Sequence, residues 1–174
     1  MAKMYLMCGL SGVGKTTFAK EIICANKNML YLGVDDFYAK VNGDECIHEN
    51  QFEVWIEFYK AIHEAEVNGI DCVVDTNAIT LCHRTQFLDW FPTFEHHLVF
   101  LEASEELRFA NNQKRRRVIP NNVMHKMWMN SELPERFTDG ECWYDTEDDR
   151  WKSILHVKNI NNENHEIGYW RGGI

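Results

Sequence analysis

A chain of 174 residues with 45% hydrophobic and 13% aromatic content can bury one good core and is short for two, so a single domain over residues 1–174 is expected. No apolar run approaches the roughly 20 residues that span a bilayer, and Met1-Ala-Lys-Met opens no signal-peptide segment, which predicts a cytoplasmic protein with no membrane partner. The formal charge of −9 argues against indiscriminate affinity for nucleic acid, although six cations and no carboxylate lie between Leu107 and Ser131, leaving −15 on the rest of the chain.

The first apolar run, Met4 to Cys8, reads as a strand and ends directly in Gly9-Leu-Ser-Gly-Val-Gly-Lys-Thr16, a complete G-x-x-x-x-G-K-[ST] loop. Its glycines let the chain wrap with N–H groups inward, so Gly9, Ser11, Gly12, Val13 and Gly14, with Thr17 behind them, form the expected nucleotide cradle. Lys15 can reach the β and γ phosphates and the Thr16 hydroxyl can hold Mg²⁺. ATP and Mg²⁺ are the implied cofactors. A helix over Lys15–Ala25 follows, apolar at Phe18, Ala19, Ile22 and Ile23.

A second strand, Met29–Val34, ends in Asp35-Asp36. Gln51–Val67 is helical by period, with Phe52, Trp55, Ile56, Tyr59 and His63 on one stripe expected to face the core. The strand Ile70–Val74 ends in Asp75-Thr76-Asn77, and a helix is expected at about Thr80–Trp90. The strand Leu98–Leu101, a helix over Ser104–Gln113, the cluster Lys114-Arg-Arg-Arg117 and a helix over Asn121–Ser131 come next. Asp139–Arg150 is acidic and turn-rich, Ile154–Val157 is a fifth strand, and Asn159–Ile174 reads as a polar hairpin or loosely held tail. Strands alternating with helices, several without in-out alternation, predict a three-layer α/β fold: a mainly parallel five-stranded sheet, helices on both faces, and an Arg-rich lid at about 111–133. The six cysteines form no C-x-x-C pair and read as reduced structural thiols.

Ligands of an open parallel sheet gather at the carboxyl ends of its strands, where the loop, Asp35, Asp75 and the arginine cluster converge. Phosphoryl transfer needs positioning, charge neutralisation and a base for the attacking hydroxyl. Asp35 is the candidate base, while Asp36, its neighbour, points elsewhere. Asp75 either orients an acceptor or stands behind the metal; Asn77 either bonds the substrate or caps the next helix. Arg115, Arg116 and Arg117 suit a lid that closes over ATP.

These residues together resemble the small P-loop kinases typified by the kinase domain of phage polynucleotide 5′-kinase, a group that includes zeta toxins and chloramphenicol phosphotransferase. The similarity runs from about Lys3 to Met127 and rests on Gly9–Thr16, Asp35-Asp36-Phe37, Val74-Asp75-Thr76-Asn77, Arg84 and Lys114–Pro120. It implies Asp35 as general base, Asp75 and Arg84 at the acceptor site, and Arg115 or a neighbour on the ATP phosphates. Where that family has an arginine three residues after the base, this chain has Tyr38, whose ring could stack on a base or a flat small molecule. The expected activity is transfer of the γ-phosphate of ATP to a hydroxyl, on a polynucleotide end or on a small nucleoside, sugar or antibiotic. A nucleotide-binding switch that hydrolyses ATP slowly is the alternative from another class.

Overall fold

The computed structural model describes residues 1–139 and 142–172. Its elements are β1 (Lys3–Cys8), α1 (Lys15–Ala25), β2 (Leu30–Gly33), α2 (Val34–Asn42), α3 (Gln51–Val67), β3 (Cys72–Asp75), α4 (Leu81–Trp90), β4 (Glu95–Ala103), α5 (Glu105–Gln113), α6 (Asn121–Met129), β5 (Arg136–Asp139), β6 (Cys142–Asp145), β7 (Ser153–Asn159) and β8 (His165–Arg171). The main sheet runs β2-β3-β1-β4-β7-β8. Its first five strands are parallel and β8 returns antiparallel along β7. The sheet therefore has six strands where five were expected, because the polar C-terminal segment pairs its backbone with β7.

Alternation along β1 explains the layers. Met4, Leu6 and Cys8 face α3 and α4, packing with Phe58, Ile62, Phe87, Leu88 and Trp151. Met7 faces the opposite side, with Phe18 and Ala19 of α1, Leu10 and Val13. A strand buried on both faces reads as a continuous apolar run, as β1, β3 and β4 do. Each fully buried large side chain contributes about 1.5–3 kcal/mol.

Three local expectations are corrected. The buried stripe of α3 is Val54, Phe58, Ile62 and Ala65, and Phe52 is 81% exposed. The residues after β2 form the short helix α2, with Asp35 and Asp36 in its first turn, where carboxylates meet the positive end of the helix. The stretch read as turns, Asp139–Arg150, holds β6, which pairs antiparallel with β5 just before it, with Gly140 and Glu141 outside the described residues. Among the described residues, no helix is long and apolar enough to cross a membrane.

β1 and β3 are neighbours whose connections run in opposite directions, β1 through α1 to β2 and β3 through α4 to β4, which opens a crevice at their carboxyl ends. The glycine loop fills that crevice.

Candidate active site around the glycine loop

Between β1 and α1 the chain turns through Gly9, Gly12 and Gly14, all at positive φ (145°, 87° and 99°). Two of these glycines are required by space as well. A Cβ on Gly9 would collide with the Leu101 carbonyl oxygen, and one on Gly12 with that of Arg108. The Gly9 N–H donates to the Asn77 carbonyl at 3.0 Å, which ties the start of the loop to the segment after β3.

Lys15 opens α1 and folds back under the loop, its Nζ donating to the carbonyls of Gly9 at 2.7 Å and Leu10 at 2.9 Å. Burial lowers its pKa to about 8, with Asp75 the strongest opposing charge. Asp35 and Arg115 also act on it electrostatically. The next residue, Thr16, donates its hydroxyl to Asp75 Oδ2 at 2.6 Å. The Tyr31 hydroxyl donates to the same oxygen at 2.8 Å. Asp75 thus stands directly behind Thr16, the residue expected to hold the metal. A hydroxyl and a carboxylate are hard oxygen donors suited to Mg²⁺, which takes one or two carboxylates and completes its shell with phosphate and water. The donor set fits the ion.

Asp35 projects from the first turn of α2 towards the arginine segment after α5, its carboxylate 3.9 Å from Arg115 Nη2. Both side chains keep access to the cleft, at 51% and 41% exposed. Desolvation pushes the Asp35 carboxyl up from its ordinary value, and the Arg115 guanidinium opposes that shift. Lys15, Asp35, Asp75 and Arg115 therefore form one electrostatic cluster drawn from four separate segments.

Other candidates lie elsewhere. Arg116 pairs with Asp44 at 2.6 Å, in the turn after α2. Arg117 acts on His48 and Tyr38. Tyr38 is buried, its ring stacked on His48 at 4.0 Å between centroids and 22° between planes, so that face is closed to an incoming ring. Asn77 contributes its carbonyl to the loop and does not cap α4; Thr80 does, accepting from His83 N–H at 3.2 Å. Ser11 and Val13 are buried in the loop, and Thr17 is exposed on α1.

Arg84 is withdrawn from the site altogether. It is 1% exposed, and its Nε and Nη2 donate to the two carboxylate oxygens of Glu147 at 2.8 and 2.6 Å. Its remaining donors meet the carbonyls of Ala78 at 3.0 Å and Glu132 at 2.6 Å. Every strong donor direction is filled, so Arg84 braces the segment behind Asp75.

Sequence reasoning missed four asparagines. Asn112 is fully buried and holds both polar groups of Ile119, Nδ2 to the carbonyl at 2.7 Å and Oδ1 from the N–H at 3.0 Å, closing the base of the arginine loop. Asn111, Asn159 and Asn162 surround the glycine loop from outside. Asparagine in Asn-Asn and Asn-Ile-Asn-Asn strings reads as turn chemistry, so composition carried no signal for them.

The fold recurs among solved structures. A chain of the Pnkp1/Rnl/Hen1 RNA repair complex superposes with a TM-score of 0.65 at 18% identity, over 74% of this chain and 43% of that one. This chain therefore spans less than half the length of that relative. A sugar kinase from Janibacter sp. HTCC2649 gives 0.59 at 14% identity, over 92% and 86% of the two chains. A gluconokinase from Sinorhizobium meliloti 1021 gives 0.56 at 17%, over 90% and 82%. At these identities the likeness establishes the fold, that of the P-loop kinases. No curated protein matches the sequence. The AAA domain family matches residues 4–134, from β1 through α6 and including the whole cluster described above, and the chain belongs to that family.

Proposed function

We propose that this chain is a single kinase domain that transfers the γ-phosphoryl group of ATP to a hydroxyl of a second substrate, with residues about 111–133 as its lid. The observation that carries this reading is the Asp35–Arg115 approach of 3.9 Å above the glycine loop. Nucleotide binding by itself needs the loop and the metal side alone. A carboxylate held up in pKa opposite a lid arginine adds a proton acceptor facing the transferred phosphoryl, which is what a hydroxyl acceptor requires.

The loop N–H groups and Lys15 would hold the phosphates, and Thr16 with Asp75 would hold Mg²⁺, which would supply charge neutralisation to the phosphates. On binding phosphate, the Lys15 ammonium would exchange its two carbonyl partners for phosphate oxygens. Asp35 would take the proton of the attacking hydroxyl on its Oδ atoms. Arg115 would meet the charge that spreads over the transferred group.

The acceptor side favours a small hydroxyl compound. Tyr38 is covered by His48, and Arg116 is paired with Asp44, so the arginine cluster offers less free positive surface than its sequence promises. Sugar kinase and gluconokinase chains are covered almost to their full length, which fits that reading. A polynucleotide 5′ end is the second reading, favoured by the higher TM-score with the RNA repair chain. Radiolabelled γ-phosphate transfer to sugars, polyols, hydroxy acids, nucleosides and 5′-hydroxyl oligonucleotides at two salt concentrations separates them. Labelling of one small alcohol with little salt dependence is expected. Preferential oligonucleotide labelling that collapses with salt favours the second reading, since each phosphate contacted steepens the salt dependence. ADP release indifferent to every acceptor leaves the switch.

A further inference from the structure

We propose that Asn111, Asn159 and Asn162 form a clamp that presets the glycine loop for a nucleotide's phosphates; the inference rests on the nucleotide-binding reading above. The contacts fall on two consecutive peptide units. Asn111 Nδ2 donates to the Gly12 carbonyl at 2.8 Å, and Asn159 Nδ2 donates to the Val13 carbonyl at 2.9 Å. A trans peptide is planar, with its C=O and the following N–H pointing in opposite directions. No cis peptide occurs among the described residues. Holding the Gly12 and Val13 carbonyls on the asparagine side therefore turns the N–H groups of Val13 and Gly14 to the other side. Those are two donors of the phosphate cradle.

The network leaves little freedom in its assignment. A side-chain amide nitrogen carries two protons. Asn111 divides its pair between the Gly12 carbonyl and Asn162 Oδ1 at 2.9 Å; Asn159 divides its pair between the Val13 carbonyl and the same Oδ1 at 3.1 Å. Asn162 closes the loop by donating Nδ2 to Asn111 Oδ1 at 2.8 Å and its backbone N–H to Asn159 Oδ1 at 2.7 Å. Its φ of 68° is one that asparagine tolerates better than most residues. Gly14 also belongs to the device, because a Cβ there would lie 2.9 Å from Asn159 Nδ2.

Position matters as much as bonding. Gly12 and Gly14 flank the clamped peptides at positive φ, where glycine alone is free to rotate, so an unclamped loop would have to be ordered by the ligand itself. Asn159 is buried at the end of β7, and Asn111 lies on α5, three residues before the arginine loop begins. The clamp thus joins the phosphate loop to the lid's stem across 99 residues of sequence and to the sheet across 146.

Asn159→Asp keeps the shape and removes the donors. Its affinity for MgADP and for inorganic tripolyphosphate, measured by calorimetry well below the melting temperature, should fall about 5- to 50-fold. Affinity for adenosine should stay unchanged, and once an acceptor is known, KM for ATP should rise with kcat preserved. Asn162→Gly accommodates the positive φ, removes the hub and should lose affinity in the same direction; Asn162→Asp keeps the shared acceptor and should recover part of the loss. Asn162→Gly serves alone if Asn159→Asp does not fold. Wild-type tripolyphosphate affinity in these variants, with or without a lower melting temperature, overturns the clamp provided Lys15→Ala loses that affinity. Retention in Lys15→Ala overturns the nucleotide reading instead.

Discussion

Arg84 lies on a helix beside the cleft, yet its guanidinium is spent on Glu147 and two carbonyls, so its replacement should act on stability and leave the site intact. Arg84→Met fills a similar volume and removes the charge. Glu147, whose side chain is fully buried, is then left ionised without its partner, and the Ala78 and Glu132 carbonyls each lose a donor. Breaking a buried pair from one side costs about 3–5 kcal/mol. For a chain of 174 residues, at roughly 2–4 °C per kcal/mol, the melting temperature should drop by about 6 to 20 °C. Adding Glu147→Leu removes the stranded carboxylate and should restore about half of the loss or more, with the two carbonyls accounting for the remainder. Urea unfolding followed by fluorescence gives the free energies, and calorimetry with MgADP checks the site. An Arg84→Met protein within about 1 kcal/mol of the parent, with a raised KM for the acceptor, would return Arg84 to the substrate and refute the bracing role.

Lys15, lowered to about 8 by burial, keeps its charge below that pH and loses it above, so phosphate affinity should decline as pH rises through about 8. Calorimetry with MgADP across that range checks this, and a flat profile contradicts it. Asp35 must be ionised to accept a proton, and burial raises its pKa, so the acid-side fall in turnover should lie at a higher pH than an ordinary aspartate would give. Arg115→Ala removes the charge that opposes the shift and should move this acid limb to still higher pH; an unmoved limb assigns it to another group. Phe58 is fully buried between the sheet and α3, and Phe58→Ala should cost about 3–5 kcal/mol in urea unfolding, against under about 1 kcal/mol for the exposed Phe52→Ala.

The glycine loop was legible because its chemistry is compressed into eight adjacent residues, and the parallel strands because burial on both faces leaves unbroken apolar runs. Periodicity found α3 and its ends but set its stripe off-centre: Trp55 and Tyr59 do pack against the core at its margin, while Phe52 is exposed and the sealed line is Val54, Phe58, Ile62 and Ala65. α2 was missed because Val34 reads as the last residue of the apolar run of β2 and Asp35-Asp36 as a turn, and a nine-residue helix is set by packing more than by pattern. Partnerships across long separations left no trace in the chain. Glu147 serves Arg84 from 63 residues away, and the asparagines grip the loop from about 100 residues and beyond, so neither shows as a motif.

The central claim, that Asp35 is the base of a phosphoryl transfer prepared by the glycine loop, is tested most directly by Asp35→Asn assayed for both MgATP binding and single-turnover transfer to the best acceptor. Binding should stay within about twofold while transfer falls by about 10² to 10⁴, because asparagine keeps the shape and cannot take the proton. Transfer at the parental rate with Asp35→Asn would contradict the account.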